Sequence, residues 1–185
     1  MSDIGVNTDS LFVSANDKLG RSDFQGALEE MNKAIMLKPD AETYSFRGAI
    51  RTAIEDFKGA IEDLTIAVTK RPIAEAYSFR GIAKMGLGDV KGAIEDYSTA
   101  ISLNSDDSRG YYLRGSAKVN IDDYAGAIED FTQAINRDPE DAETYFSRAV
   151  ILLKTGNKRE ARVDFLKTRA LGKDVPDDVL ALCTS

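Results

Sequence analysis

One ten-residue motif recurs along the chain at a nearly constant interval, and that period restricts the fold more than any other feature. GALEEMNKAI, GAIEDLTIAV, GAIEDYSTAI and GAIEDFTQAI begin at Gly26, Gly59, Gly92 and Gly126, spaced 33, 33 and 34 residues apart, and a weaker EARVDFLKTR begins at Glu160. Between them run AETYSFRGAI, AEAYSFRGIA, SRGYYLRGSA and AETYFSRAVI. A period of this length marks a supersecondary unit that cannot bury its apolar face alone and must stack on copies of itself. The units fall at about 8–40, 41–73, 74–107, 108–141 and 142–174, the first and last of them degenerate.

Each unit reads as two helices. Tyr44, Tyr77, Tyr111 and Tyr145 stand four residues before Gly48, Gly81, Gly115 and Ala149, with Leu11 before Ala15 in the first unit, and i, i+4 pairs share a helical face. Asp23, Asp56, Asp89, Asp123 and Asn157 occupy one column at the start of the second half, where their side chains are expected to cap a helix. The second half carries Ala27, Ala60, Ala93, Ala127 and Ala161 in one column and closes at Pro39, Pro72 and Pro139 in three units. A mid-helix glycine costs about 1 kcal/mol relative to alanine. Gly48, Gly81 and Gly115 therefore predict close approach of two antiparallel helices at a contact of small residues.

Taken together, an aromatic, a small residue four later, an apolar residue near the turn (Phe24, Phe57, Val90, Tyr124), then Ala, a large apolar residue (Met31, Leu64, Tyr97, Phe131, Phe165), Ala and Pro resemble the tetratricopeptide repeat over roughly residues 8 to 174. The resemblance implies an all-α fold, a right-handed α-solenoid of antiparallel helix hairpins, with first helices lining a concave groove. Residues 1–7 are expected to be a flexible N-terminal segment, and 175–185 a short capping helix and tail covering the fifth repeat.

The same resemblance implies the groove residues. They are Phe12, Val13, Asn16 and Leu19, then Ser45, Phe46, Ala49 and Thr52, then Ser78, Phe79, Ile82 and Met85. Tyr112, Leu113, Ser116 and Val119 follow, and finally Phe146, Val150 and Leu153. Of these, Phe12, Asn16, Phe46, Ala49, Phe79, Ile82, Tyr112, Leu113, Val119, Phe146 and Val150 are the candidate partner-binding residues. Asp9, Glu42, Glu75 and Glu143 would rim the groove with acid. Tetratricopeptide co-chaperones clamp the C-terminal carboxylates of Hsp70 and Hsp90 with groove Lys, Asn and Arg; only Asn16 matches, so this clamp is not expected. The reading is a protein-interaction adaptor or scaffold for an apolar peptide or helix with basic flanks. The alternative is a structural element that self-assembles into a homo-oligomer, its groove or an end repeat occupied by a second copy; an enzyme is a weaker alternative.

Composition narrows the chemistry. The chain has no His, which removes His-based nucleophilic catalysis and metal ligation, and a single cysteine, Cys183, excludes an internal disulfide. Neither a cofactor nor a metal site is expected. A formal charge of −7 disfavours nucleic acid, and no stretch suits a leader or a membrane span, so a cytoplasmic protein is the default. Paired carboxylates recur at Glu62–Asp63, Glu95–Asp96 and Glu129–Asp130, and such periodicity marks scaffold, because an active site is singular. Arg47, Arg80, Arg114 and Arg148 occur in the units that carry Asp63, Asp96, Asp130 and Asp164, which predicts repeated interhelix ion pairs extended by Arg51, Lys84 and Lys118. The first unit has Ser14 and Glu30 in those places.

Overall fold

The computed structural model describes residues 7–183. Residues 1–6 of the predicted flexible segment, and the tail at 184–185, lie outside the described residues. Among the described residues there are eleven helices and no strand, and none of the helices is long and apolar enough to cross a membrane. They fall into two compact units, residues 1–103 and 104–185.

The first unit holds α1 (Thr8–Gly20), α2 (Phe24–Leu37), α3 (Ala41–Ala53), α4 (Phe57–Lys70), α5 (Ala74–Gly86) and α6 (Val90–Leu103). Consecutive helices pair into hairpins, α2 packs on α3 and α4 on α5, and α3 lies directly against α5. The second unit holds α7 (Ser108–Val119), α8 (Tyr124–Arg137), α9 (Ala142–Lys154), α10 (Lys158–Ala170) and α11 (Asp177–Leu182), with α8 packed on α9.

Every hairpin turns the same way. Ser22, Glu55, Gly88, Asp122 and Gly156 each adopt a left-handed backbone, with φ of 59°, 62°, 81°, 57° and 85°. The next residue's N–H then reaches the carbonyl five residues back, as in Asp23 to Lys18 at 2.8 Å and Asn157 to Leu152 at 2.8 Å. This is the closure that ends a helix through a left-handed residue. In four turns the same residue starts the next helix, since Asp23, Asp56, Asp89 and Asp123 accept from the N–H of Gly26, Gly59, Gly92 and Gly126 at 2.9 to 3.1 Å. The glycine that opens each repeated motif has a steric cause here, because a Cβ on Gly26 would lie 2.2 Å from an Asp23 carboxylate oxygen. Asn157 departs from the expected column. Its side chain makes no cap bond and donates to Thr155 Oγ1 at 2.9 Å, and Glu160 replaces the glycine.

The mid-helix glycines also correct an expectation. The side chain nearest each is large rather than small: a Cβ on Gly48 would fall 2.5 Å from Leu64, one on Gly81 2.5 Å from the Tyr97 ring, and one on Gly115 3.0 Å from Phe131. Each glycine is a socket for the large side chain sixteen positions later. Leu64, Tyr97 and Phe131 are accordingly at most 1% exposed, and the alanine column beside them is fully buried. In the outer hairpins Ala15 and Ala149 share core clusters with Met31 and Phe165.

The interhelix ion pairs form as the paired columns predict. Arg47, Arg80, Arg114 and Arg148 each fork onto Asp63, Asp96, Asp130 and Asp164 through Nε and Nη2 at 2.6 to 2.9 Å. Arg51, Lys84 and Lys118 add a second cation at 3.0, 2.8 and 2.8 Å. These aspartates are only 1–3% exposed, and among the described residues no buried side-chain N or O lacks a partner. Arg47 also donates to Asn32 at 2.7 Å and Arg148 to Thr132 at 2.9 Å, tying a hairpin to the one before it. The first hairpin is braced as well, by Lys18 on Glu30 at 2.6 Å.

Beyond the last hairpin, Val175, Leu180 and Cys183 pack with Ala149, Leu152, Ala161 and Phe165. Arg169 holds this segment by donating to the Val175 carbonyl and to Asp177.

Candidate functional site

The first helices supply most of the half-exposed aromatic side chains among the described residues. In the first unit, Phe12 of α1 meets Phe46 of α3 edge to face, centroids 5.2 Å apart. Phe46, Ala49 and Phe79 then wall two adjoining cavities of about 340 and 390 Å³. One is wholly apolar, closed by Leu19, Phe24, Ile50 and Ala53. The other opens at its far end onto Ser45, Glu42, Arg71 and Glu75. The first unit thus presents a trough along α3, apolar at one end and charged at the other.

In the second unit a cavity of about 270 Å³ lies between α7 and α9, walled by Val119, Phe146, Val150 and Ile151 over Phe131, with Ser116, Ser147 and Glu143 on its edge. Lys173 sits over the Phe146 ring at 4.6 Å.

Seven of the eleven sequence-predicted residues line these cavities: Phe12, Phe46, Ala49 and Phe79 in the first unit, and Val119, Phe146 and Val150 in the second. Tyr112 is half-buried with its ring 5.8 Å from Phe131, and Asn16 points to solvent. Ile82 and Leu113 are half-buried on α5 and α7, outside these three cavities. Thr52 and Ser78, also expected on the groove, are buried. Phe24, Ile73 and Arg71 enter the site without having been expected there, because they come from turns and helix ends whose position depends on how one hairpin lies on the next.

The acidic rim is weaker than the sequence suggests. Glu42 is ion-paired with Arg71 and Glu143 with Lys173. Glu75 is exposed at the mouth of its cavity and, among the described residues, has no ion pair.

Away from these walls, charged groups serve the scaffold. The hydrogen bond to its aspartate raises the guanidinium pKa of Arg47, Arg80 and Arg114, outweighing their burial. Glu30 is held below the ordinary glutamate range, chiefly by its hydrogen bond from Lys18, against the opposing effect of burial. No group of three metal-ligating side chains occurs among the described residues.

Stacked helix hairpins with an open aromatic inner wall define a helical-repeat protein. Two family models, both described as tetratricopeptide repeat, match residues 74–107 and 112–176, together just over half of the sequence. The chain belongs to the tetratricopeptide-repeat family, and its fold is an all-α solenoid of antiparallel hairpins. Among solved structures, MamA is 27% identical over 85% of this chain and 93% of its own, with a TM-score of 0.77. MamA from Desulfovibrio magneticus RS-1 is 20% identical over 91% of this chain and 96% of its own, with a TM-score of 0.79. PilF of Pseudomonas aeruginosa is 18% identical over 95% of this chain and 80% of its own, with a TM-score of 0.84. No curated protein matches the chain in sequence.

Proposed function

We propose that the chain is a non-catalytic interaction module that seats an apolar segment of a protein partner against the first helices of its first unit, with Phe46 and Phe79 as anchors. The observation that carries this reading is the trough of the first unit, where Phe46 and Phe79 are half-exposed around two adjoining cavities. Large apolar side chains left open in a concave wall are the usual signature of a partner site. Among the described residues lining the trough's mouth, Glu75 carries a charge without an ion pair, so a basic group beside the apolar anchor suits it. A cytoplasmic setting goes with this proposal, on the single thiol of Cys183.

Panning a random dodecapeptide library tests the reading. Peptides enriched on the wild type are expected to share two or more apolar residues and to lose at least about tenfold in affinity for Phe79→Glu. Peptides that bind the folded variant equally well would remove the groove from the proposal. In the self-assembly alternative, light scattering would show oligomers that Phe46→Glu dissolves. At the α1 end, stacking has little apolar surface to use: Ser10 and Asp17 are exposed on α1 where Thr43 and Ile50, Ala76 and Ala83, and Thr144 and Ile151 are buried.

A further inference from the structure

Repeats place equivalent residues in equivalent positions, so a helix that breaks several columns at once has a different task or a different neighbour. Aligned on the buried alanine column, the second helices carry Glu29, Glu62, Glu95 and Glu129 at one exposed position, and α10 carries Val163. Three residues later, Asn32, Thr65 and Thr132 give way to Leu166; Asn32, Thr65 and Thr132 accept hydrogen bonds from arginines of the following hairpin. Where Leu28, Ile61, Ile94 and Ile128 are half-buried, α10 exposes Arg162.

The end of an array explains part of this. Among the described residues no further hairpin covers α10, and a polar residue at Arg162 is expected there. The same logic demands polar residues at the other two positions, yet Val163 is 66% and Leu166 42% exposed. The change therefore runs against capping and gives a helix face that is apolar along its centre and cationic beside it.

The charge of the region differs from that of the whole chain. Residues 154–173 hold seven Lys and Arg against two acidic residues, in a chain of net charge −7. Most of those cations are engaged: Lys167 with Glu140, Arg169 with Asp177 and Lys173 with Glu143, while Lys154 lies over the Tyr124 ring. Arg159 and Arg162 are exposed and, among the described residues, have no ion pair. They lie one turn apart beside Val163 and Leu166, which are themselves one turn apart.

We infer that the outer face of α10 is a second docking surface, separate from the inner wall, for an acidic amphipathic helix of a protein partner. Carboxylates of that helix pair with the forks of Arg159 and Arg162, and its apolar residues cover Val163 and Leu166. Two free arginines are too few for an anionic membrane surface, which calls for clusters of about four to eight basic residues. A phosphate backbone would leave the two apolar side chains uncovered.

The test uses the full chain and a synthetic helical peptide with Leu at i, i+3/i+4 spacing flanked by Glu, its sequence-scrambled form, its Lys-for-Glu form, and phosphatidylserine-containing vesicles. Binding of the Glu/Leu helix alone is expected, with an affinity that falls as salt rises. Arg159→Glu combined with Arg162→Glu should weaken it by about tenfold or more, and Val163→Glu with Leu166→Thr by a similar factor, at unchanged melting temperature. Phe79→Glu should leave it intact, which separates this surface from the groove. The inference is overturned if the peptide does not bind the wild type, if it binds the α10 variants equally, or if the vesicles or the scrambled peptide bind as well as the helix does.

Discussion

At the scale of single residues, the molecule rests on charges that are buried and therefore must be paired. Asp96 is 3% exposed and answers both Arg80 and Lys84, whereas its neighbour Glu95 faces solvent. Removing one partner of a buried pair costs roughly 3 to 5 kcal/mol, and an exposed charge about 0 to 1. Thermal unfolding should therefore show Asp96→Ala well below Glu95→Ala, and equal melting temperatures would contradict the brace. Glu30 adds a pH dependence. Its folded pKa lies below the ordinary value because Lys18 donates to it, so its contribution to stability is present above the ordinary glutamate pKa and is lost as pH falls through the depressed one. The gap in melting temperature between wild type and Glu30→Gln should narrow as pH is lowered from roughly 6 to 3. A gap that stays constant would mean that the Lys18 pair is not what Glu30 contributes.

At the scale of the element, the turn is the repeated invention. One residue ends a helix through its N–H and begins the next through its carboxylate, and this double use holds the connection to three residues, such as Arg21–Asp23, or to four before α8. The left-handed residue between them is glycine in two turns and Ser22, Glu55 or Asp122 in the others. A non-glycine residue there carries about 1 kcal/mol of strain. Glu55→Gly should raise the melting temperature slightly, and Gly156→Ala, at φ 85°, should lower it. Calorimetry on the two variants reads both shifts, and a fall for Glu55→Gly or a rise for Gly156→Ala would refute the shared geometry. The glycine sockets obey the opposite constraint. Gly81→Ala would gain helix propensity but drive its Cβ into the buried Tyr97 ring, and overpacking costs roughly 1 to 3 kcal/mol.

Over the whole molecule, α11 decides how the fifth hairpin ends. Val175 is fully buried, and Leu180 and Cys183 lie with it on Ala149, Leu152, Ala161 and Phe165. Deleting 174–185 would return that surface to water and should lower the melting temperature and increase binding of a hydrophobic dye; an unchanged transition would show that the segment is dispensable.

The period, the paired helices, four of the five turn caps and the Arg–Asp columns are legible in the sequence, because each rests on spacing within one repeat or on a column that recurs across repeats. Lys18 as the partner of Glu30 went unread although it stands in the column of Arg51, Lys84 and Lys118, because the first unit lacks the arginine that marks the pair elsewhere. The Glu42–Arg71 and Glu143–Lys173 pairs were not legible, nor was the entry of Phe24 and Ile73 into the trough. Their partners are 29 and 30 residues apart for the ion pairs, and only the way one hairpin lies on another brings such groups together. The sequence alone determined that this chain is a stack of helix hairpins, because periodic apolar faces have no other way to leave water. Which aromatics stay open, which rim charges are already satisfied, and that Val163 and Leu166 face outward were decided by tertiary packing, because exposure is a property of what fails to cover a side chain.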